Sequence, residues 1–229
     1  MNTKPAFFIT GTDTEIGKTW STAALLRAFQ QQGKSALAMK PVSAGCQWLD
    51  GRWQNDDALL LQRHSSLQLP YDWVNPYAFE RAISPHLAAN GVDIDLSVIR
   101  AAFASLEQQA DVVLVEGAGG WLSPLSDHLN NQGLATALDL PVILVVGMRL
   151  GCLNHACLSY QAIRASGRVC AGWIANSIDP AMQALEGNLD YLQNRIDAPF
   201  LGLLPFVAHA DFERLAAVVQ PQLSRLEGC

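Results

Sequence analysis

The stretch Ala6-Phe7-Phe8-Ile9-Thr10-Gly11-Thr12-Asp13-Thr14-Glu15-Ile16-Gly17-Lys18-Thr19 decides the fold. An apolar run of strand character leads through a short polar segment into Gly-Lys-Thr, and an amphipathic pattern over residues 21–32 follows at once. A strand, a tight turn and a helix start in that order aim successive backbone N–H groups at one point, where the helix dipole adds partial positive charge. This reads as a phosphate-binding loop in which Lys18 reaches the terminal phosphates and the Thr19 hydroxyl ligates magnesium. The spacing departs from the usual pattern. The residue five before Gly17 is Thr12, and the nearest upstream glycine, Gly11, stands one position too early. The bland alternative is an ordinary strand-to-helix turn with a solvated lysine.

Moving outward, short β-branched apolar runs recur between helical patterns, at residues 6–10, 35–39, 112–115, 141–146, 169–175 and 200–204. Val112-Val113-Leu114-Val115 and Val142-Ile143-Leu144-Val145-Val146 do not alternate, so these strands should be buried on both faces under helices. The expected fold is a doubly wound, mostly parallel α/β sheet of the P-loop NTPase kind, built as one domain over residues 1–229. In such sheets the ligand lies beyond the carboxyl ends of the strands, and there the polar residues collect. The second run leads into Lys40-Pro41-Val42-Ser43-Ala44-Gly45, and the third into Glu116-Gly117-Ala118-Gly119-Gly120. Arg149-Leu150-Gly151-Cys152-Leu153-Asn154 follows the fourth run, and Asn176 the fifth.

Composition narrows the class of partner. Half of the 229 residues are hydrophobic, only 16% are charged, and no stretch has linker composition, so a packed core is expected rather than disorder. A net charge of -6 without any Lys/Arg cluster argues against nucleic acid, whose backbone requires a basic footprint. The longest apolar run, near residues 141–148, is far too short to cross a bilayer, and no secretory pattern precedes the first strand; a soluble, cytoplasmic protein is expected. Cys46, Cys152, Cys157, Cys170 and Cys229 are scattered and odd in number, which suits small buried hydrophobes better than a disulfide framework or a zinc site.

Several residues have two readings. Glu116 closes a buried strand where a second magnesium-binding acid commonly stands, or is a strand-end carboxylate facing water. Asp57 lies in Asn55-Asp56-Asp57, either a metal ligand or a first-turn acid of a helix capped by Asn55. Lys40 is a second cation beside the phosphates or a solvated strand-end lysine. Asn154 marks a helix start whose free N–H groups suit an anion, or is a plain cap.

Taken together, Gly11-Thr12-Asp13-Thr14-Glu15-Ile16-Gly17-Lys18-Thr19, Lys40-Pro41-Val42, Val115-Glu116-Gly117-Ala118-Gly119-Gly120 and Ala171-Gly172-Trp173-Ile174-Ala175-Asn176 resemble the ATP-dependent dethiobiotin synthetase family. Asn75-Pro76-Tyr77, Ser84-Pro85-His86 and Leu204-Pro205 extend the resemblance over essentially the whole chain. The resemblance implies a cytoplasmic homodimer that converts 7,8-diaminononanoate, CO2 and MgATP into dethiobiotin, ADP and phosphate, through a carbamate and its mixed anhydride. It places Asp13, Thr14, Glu15, Ile16, Gly17, Lys18 and Thr19 around the ATP phosphates, and Asn176 with the Pro205 backbone around adenine. It makes Lys18 and Lys40 catalytic, gives magnesium to Thr19, Asp57 and Glu116, and assigns the diamine to Lys40, Ser43, Gly151, Cys152 and Asn154, the last three from the other subunit. One departure stands out: the family's hydroxyl residue before the loop glycine is Ala44 here, with Ser43 one position earlier. A switch ATPase of the MinD or ParA type shares the expected fold, but carries a lysine early in the loop where this chain has Asp13. A paralogue with a drifted substrate is the other alternative.

Overall fold

The computed structural model describes residues 4–226. In chain order the strands are β1 (Ala6–Gly11), β2 (Ala36–Met39), β3 (Val42–Ala44), β4 (Gln47–Leu49), β5 (Arg52–Gln54), β6 (Tyr77–Phe79), β7 (Val112–Gly120), β8 (Val142–Met148), β9 (Cys170–Ser177) and β10 (Phe200–Leu204). The helices are α1 (Lys18–Gln31), α2 (Asp56–His64), α3 (Tyr71–Val74), α4 (Pro85–Ala88), α5 (Leu96–Gln109), α6 (Asn131–Ala137), α7 (Cys152–Ala165), α8 (Leu185–Gln193) and α9 (Phe212–Val219).

The six apolar runs read from the sequence become the six strands of one sheet, in the order β10-β9-β8-β1-β7-β2, with every pairing parallel. Because strand side chains alternate between faces, the sheet feeds two cores. Phe8, Val113, Val115, Leu144 and Val146 join the core that α5 and α7 close with Ile99, Phe103, Leu106, Ala156 and Ile163. Phe7, Ile9, Leu114, Ile143 and Val145 join the opposite core, closed by Leu25, Ala28 and Phe29 of α1 and Leu215 and Val219 of α9. Full burial of each such side chain contributes about 1.5–3 kcal/mol, so non-alternating strands can be stable only between two helical layers. β1 is central, flanked by β7 and β8, and the chain turns opposite ways from it. That switch point opens a crevice beyond the carboxyl ends of the strands.

Three boundaries differ from the sequence reading. β7 continues four residues past Glu116, because a register shift after Ile9 lets Gly11 pair with Gly120; Glu116 therefore lies within the strand and not at its end. α1 starts at Lys18, three residues earlier than the amphipathic pattern, and α7 starts at Cys152 with Gly151 as its N-cap. The strands β3 to β6 have only three residues each, too few for a period to show. β3 and β6 pair in parallel beside the crevice. β4 and β5 form a hairpin turned by Asp50 and Gly51, both at positive φ, with Trp48 edge-on to Trp53. Cys46 and Cys152 are buried, Cys157 and Cys170 half-buried; Cys229 lies outside the described residues.

Candidate active site

The crevice holds a cavity of about 760 Å³ whose walls include Thr14, Glu15, Gly17, Lys18 and Thr19 on one side and Lys40, Ser43, Ala44, Asn55 and Asp57 on the other, with Glu116 at its base. Gly17 shapes the first wall. It sits at φ 83°, and a Cβ there would stand 2.0 Å from Nδ2 of Asn176, which donates to the Ile16 carbonyl over 2.8 Å. Asn176 thus clamps the loop from the end of β9. Glu15 also has positive φ, and Ile16 is buried, wedged against Gly147 so closely that a Cβ at 147 would come within 2.6 Å of it. The Asp13 carboxylate accepts the Thr14 N–H and pairs with Arg149. Pro205 follows β10, whose last residue, Leu204, is in register with Asn176.

Five side chains converge at the base. Glu116, fully buried, accepts at Oε1 from the Thr19 hydroxyl (2.8 Å) and from Lys40 Nζ (3.0 Å), and at Oε2 from the Thr22 hydroxyl (3.1 Å). Lys40 Nζ also donates to Asp57, so one ammonium bridges two carboxylates. Asp57 reaches this place because Asn55 caps α2, its Oδ1 accepting from the Asp57 and Ala58 N–H groups (3.1 and 3.3 Å). The cap and the site carboxylate are therefore neighbours two positions apart with separate tasks: Asn55 caps α2, and Asp57 is a first-turn acid that meets Lys40.

The two lysines lie in different fields. Lys18 Nζ donates to the Asp13 carbonyl over 2.8 Å, a neutral partner. Burial brings its pKa down to about 8, a shift that the Glu116 charge opposes and the Lys40 charge reinforces. Burial also acts against the Lys40 charge, but Glu116 and Asp57 outweigh it and hold that ammonium above the ordinary lysine range. Asp57 is held below its usual value: burial works against its charge, and the Lys40 ammonium beside it prevails.

Thr19, Asp57 and Glu116 offer a hydroxyl and two carboxylates, the hard oxygen donors that magnesium takes together with phosphate and water. Among the described residues there is no group of three or more His, Cys, Asp or Glu that could hold a metal ion. Of the remaining residues singled out by sequence, Gly151, Cys152 and Asn154 start α7 and do not line the cavity. Asn154 is exposed in the first turn, and Gly151 at φ 95° is the cap, so the reading of Asn154 as a cap is corrected. Sequence reasoning missed Thr22 and Trp20, and quoted Ser84 in a matching segment without giving it a role. Thr22 was within reach, since it follows Thr19 by three residues and so shares its face of α1.

Residues 5–214 match the family described as an AAA domain. ATP-dependent dethiobiotin synthetase BioD of Aromatoleum aromaticum is 55% identical over 219 residues, 95% of this chain and 97% of that protein. The protein of the same name from Xanthomonas campestris pv. campestris is 50% identical over 214 residues, 93% and 96% of the two chains. Among solved structures, a ParA family ATPase from Chlorobium tepidum superposes with a TM-score of 0.58 at 16% identity, covering 98% of this chain and 94% of its own. The MinD cell division protein of Aquifex aeolicus gives 0.56 at 15% identity, covering 96% and 97%. At such identities the structural likeness speaks to the P-loop fold alone. At half or more of all positions over nearly the whole length the sequence likeness speaks to the family, and the chain belongs to the ATP-dependent dethiobiotin synthetases.

Proposed function

We propose that this enzyme, an ATP-dependent ligase, closes the ureido ring of dethiobiotin on 7,8-diaminononanoate, using CO2 and ATP and releasing ADP and phosphate. The observation that carries this reading is the convergence of two lysines, Lys18 and Lys40, with Thr19, Asp57 and Glu116 in one cavity next to a phosphate loop. One amine of the substrate adds to CO2 and loses a proton, giving a carbamate. The carbamate oxygen attacks the γ-phosphorus as the bond to ADP breaks, and the second amine then displaces phosphate from the mixed anhydride. No protein nucleophile is required, so the enzyme acts by positioning and by neutralising charge.

Lys18, at the first residue of α1, binds the phosphates with the loop N–H groups of residues 13–19. Lys40 faces both the carbamate and the transferring phosphoryl group, and its positive charge offsets the repulsion between these two anions as they meet. Thr19, Asp57 and Glu116 hold magnesium, which supplies further positive charge to the phosphates. Asn176 and the Pro205 backbone frame the adenine, at the ends of adjacent strands. Ser43 contacts the diamine, and the structure limits the chemistry of that contact. Its one proton goes to Asn75 Oδ1 (2.8 Å), so its hydroxyl is left to accept, as an amine N–H requires.

The carboxylate end of the diamine is gripped by Gly151, Cys152 and Asn154 of a second subunit in a cytoplasmic homodimer. Two observations support this: these residues do not line the cavity of their own chain, and Leu150 beside them is 97% exposed. Among the described residues no helix is long and apolar enough to cross a membrane.

Mass detection of dethiobiotin after incubation with the diamine, bicarbonate and MgATP tests the reaction. ADP release that is independent of the diamine would count against it. For the shared site, mixing inactive Lys18→Ala protein with an inactive Asn154→Ala protein should restore activity, since one site of each heterodimer carries neither lesion. Demonstrated exchange of subunits without regained turnover would locate each site within a single chain.

A further inference from the structure

The Asn75-Pro76-Tyr77 stretch does not line the cavity, and none of its side chains is placed on a substrate above; Asn75 only accepts the hydrogen bond of the Ser43 hydroxyl. Asn75 is nonetheless 3% exposed, at the end of α3. An Asn amide can give two hydrogen bonds and accept two, and all four are made. Nδ2 donates to the Lys40 carbonyl (2.6 Å) and the Tyr77 carbonyl (3.2 Å), while Oδ1 accepts from Ser43 Oγ (2.8 Å) and the Tyr71 hydroxyl (2.9 Å). Two carbonyl partners settle which end of the amide is nitrogen. The Tyr71 hydroxyl, its proton given to Asn75, accepts the backbone N–H of Asn55 over 2.7 Å. Asn55 in turn caps the helix that carries Asp57 and donates to the Ala44 carbonyl over 3.3 Å.

Both backbone groups of Lys40 are thereby held by one short segment: its N–H donates to the Val74 carbonyl over 2.7 Å, and its carbonyl accepts from Asn75. A buried asparagine with a purely structural task could be satisfied by any local carbonyls. Here two of the four bonds end directly on Lys40 and Ser43, and a third reaches, through the Tyr71 hydroxyl, the cap of the helix that carries Asp57; the bond to the Tyr77 carbonyl alone is local. We propose that Asn75 and Tyr71 are positioning residues, which set the distance between Lys40, Ser43 and Asp57 and so keep the Lys40 ammonium between its two carboxylates. This rests on the reaction proposed above. The phosphate loop makes none of these bonds, so the two walls are built separately.

Tyr71→Phe tests it. The change removes one oxygen, leaving the Asn55 N–H without its acceptor and Asn75 with one bond fewer. The turnover number should fall, and the magnesium concentration for half-maximal rate should rise, each by roughly 10- to 100-fold, as when the supports of a metal site are lost. At saturating magnesium the KM for ATP should stay within about threefold, because the loop wall is intact. Ile163→Ala, at the far end of α7, is the control for lost stability alone: it should lower the melting temperature and leave both readings at the wild-type value. A folded Tyr71→Phe enzyme with wild-type turnover and magnesium dependence would overturn the proposal.

Should Tyr71→Phe not fold, Asn75→Ser carries the same comparison. In the wild-type enzyme, the Asn75 side-chain amide protons should exchange slowly with solvent; fast exchange would also overturn it. Failure of the reaction itself is separable. If wild-type protein shows no diamine-dependent ADP release, calorimetric binding of ATP at varied magnesium still tests the positioning, because Tyr71→Phe should require more magnesium for the same affinity.

Discussion

The two walls of the cavity each hold a lysine, and burial and charge move the two pKa values in opposite directions. On the loop wall, Lys18 has a backbone carbonyl for a partner and a pKa brought down to about 8 by burial. On the facing wall, Lys40 sits between Asp57 and Glu116, and their charges keep it protonated at every pH the protein meets. The difference teaches that burial alone does not set a lysine's state; what stands within about 4 Å of the ammonium decides it. It also divides the labour. Lys18 is free to exchange a weak neutral partner for a phosphate, while Lys40 is part of a buried ion network and carries structure as well as charge.

Removing each lysine should break this comparison most visibly. Lys40→Met leaves Glu116 buried with two hydroxyl partners and no cation, so both turnover and stability should suffer, the latter by about 3 kcal/mol on the scale of a buried pair that loses one member. Lys18→Ala should lower turnover by at least 10²- to 10³-fold, the loss expected for one preorganised donor at a developing charge, with the melting temperature near wild type. Calorimetry on both proteins decides it: equal loss of stability would mean that the walls are not built differently.

Glu116→Gln keeps the shape and tests the meeting point of the walls. With one carboxylate charge gone, magnesium for half-maximal rate should rise about tenfold; an unchanged titration would leave Glu116 as a structural partner of Lys40 only. A smaller change is expected from Ser43→Ala. It removes a hydrogen bond between neutral groups, worth roughly 0.5–1.5 kcal/mol, so the KM for the diamine should rise about two- to tenfold with ATP affinity constant. Weaker ATP binding with an unchanged diamine KM would place Ser43 on the wrong ligand.

The smallest signal concerns protons. A lysine whose folded pKa lies below 10.5 favours its neutral form in the native state, so the unfolded chain binds more protons between pH about 8 and 10.5 and Lys18 makes stability rise with pH across that window. Phosphate would restore the charge. Binding ATP near pH 8 should therefore take up about half a proton, read from the dependence of binding heat on buffer ionisation. Lys18→Ala should abolish the uptake. Uptake that persists there would assign it to another group.

The loop wall was largely legible because its chemistry is local. Residues 11–19 act through consecutive backbone N–H groups and a helix start, and both leave a mark in one short window of sequence. Even so, the clamp of Asn176 on the Ile16 carbonyl joins residues 160 positions apart and has no local sign. The facing wall was legible in its parts and not in its assembly. Lys40, Asp57 and Glu116 were each singled out, each with a bland alternative that the sequence could not dismiss. Asn55 and Asp57 look like a cap and a first-turn acid because they are one, and only the position of Lys40 opposite them makes Asp57 more than that. Asn75 was legible only as part of a matching segment and Tyr71 not at all, since a buried side chain that acts through the backbone of another residue looks like any polar residue in a turn.

By itself the sequence determined the six strands, their parallel arrangement under two helical layers and the phosphate loop. Hydrophobic period and turn chemistry act over a few residues, and unbroken β-branched runs are stable only with both faces covered. The tertiary structure alone decided the strand order with β1 at the switch point, the continuation of β7 beyond Glu116, and the gathering of Lys40, Asp57 and Glu116 from three separate segments into one ion network. These depend on distances between segments that the chain brings together only when it packs, and the energy of a charge pair is a function of that distance and of burial, neither of which is written in residue order.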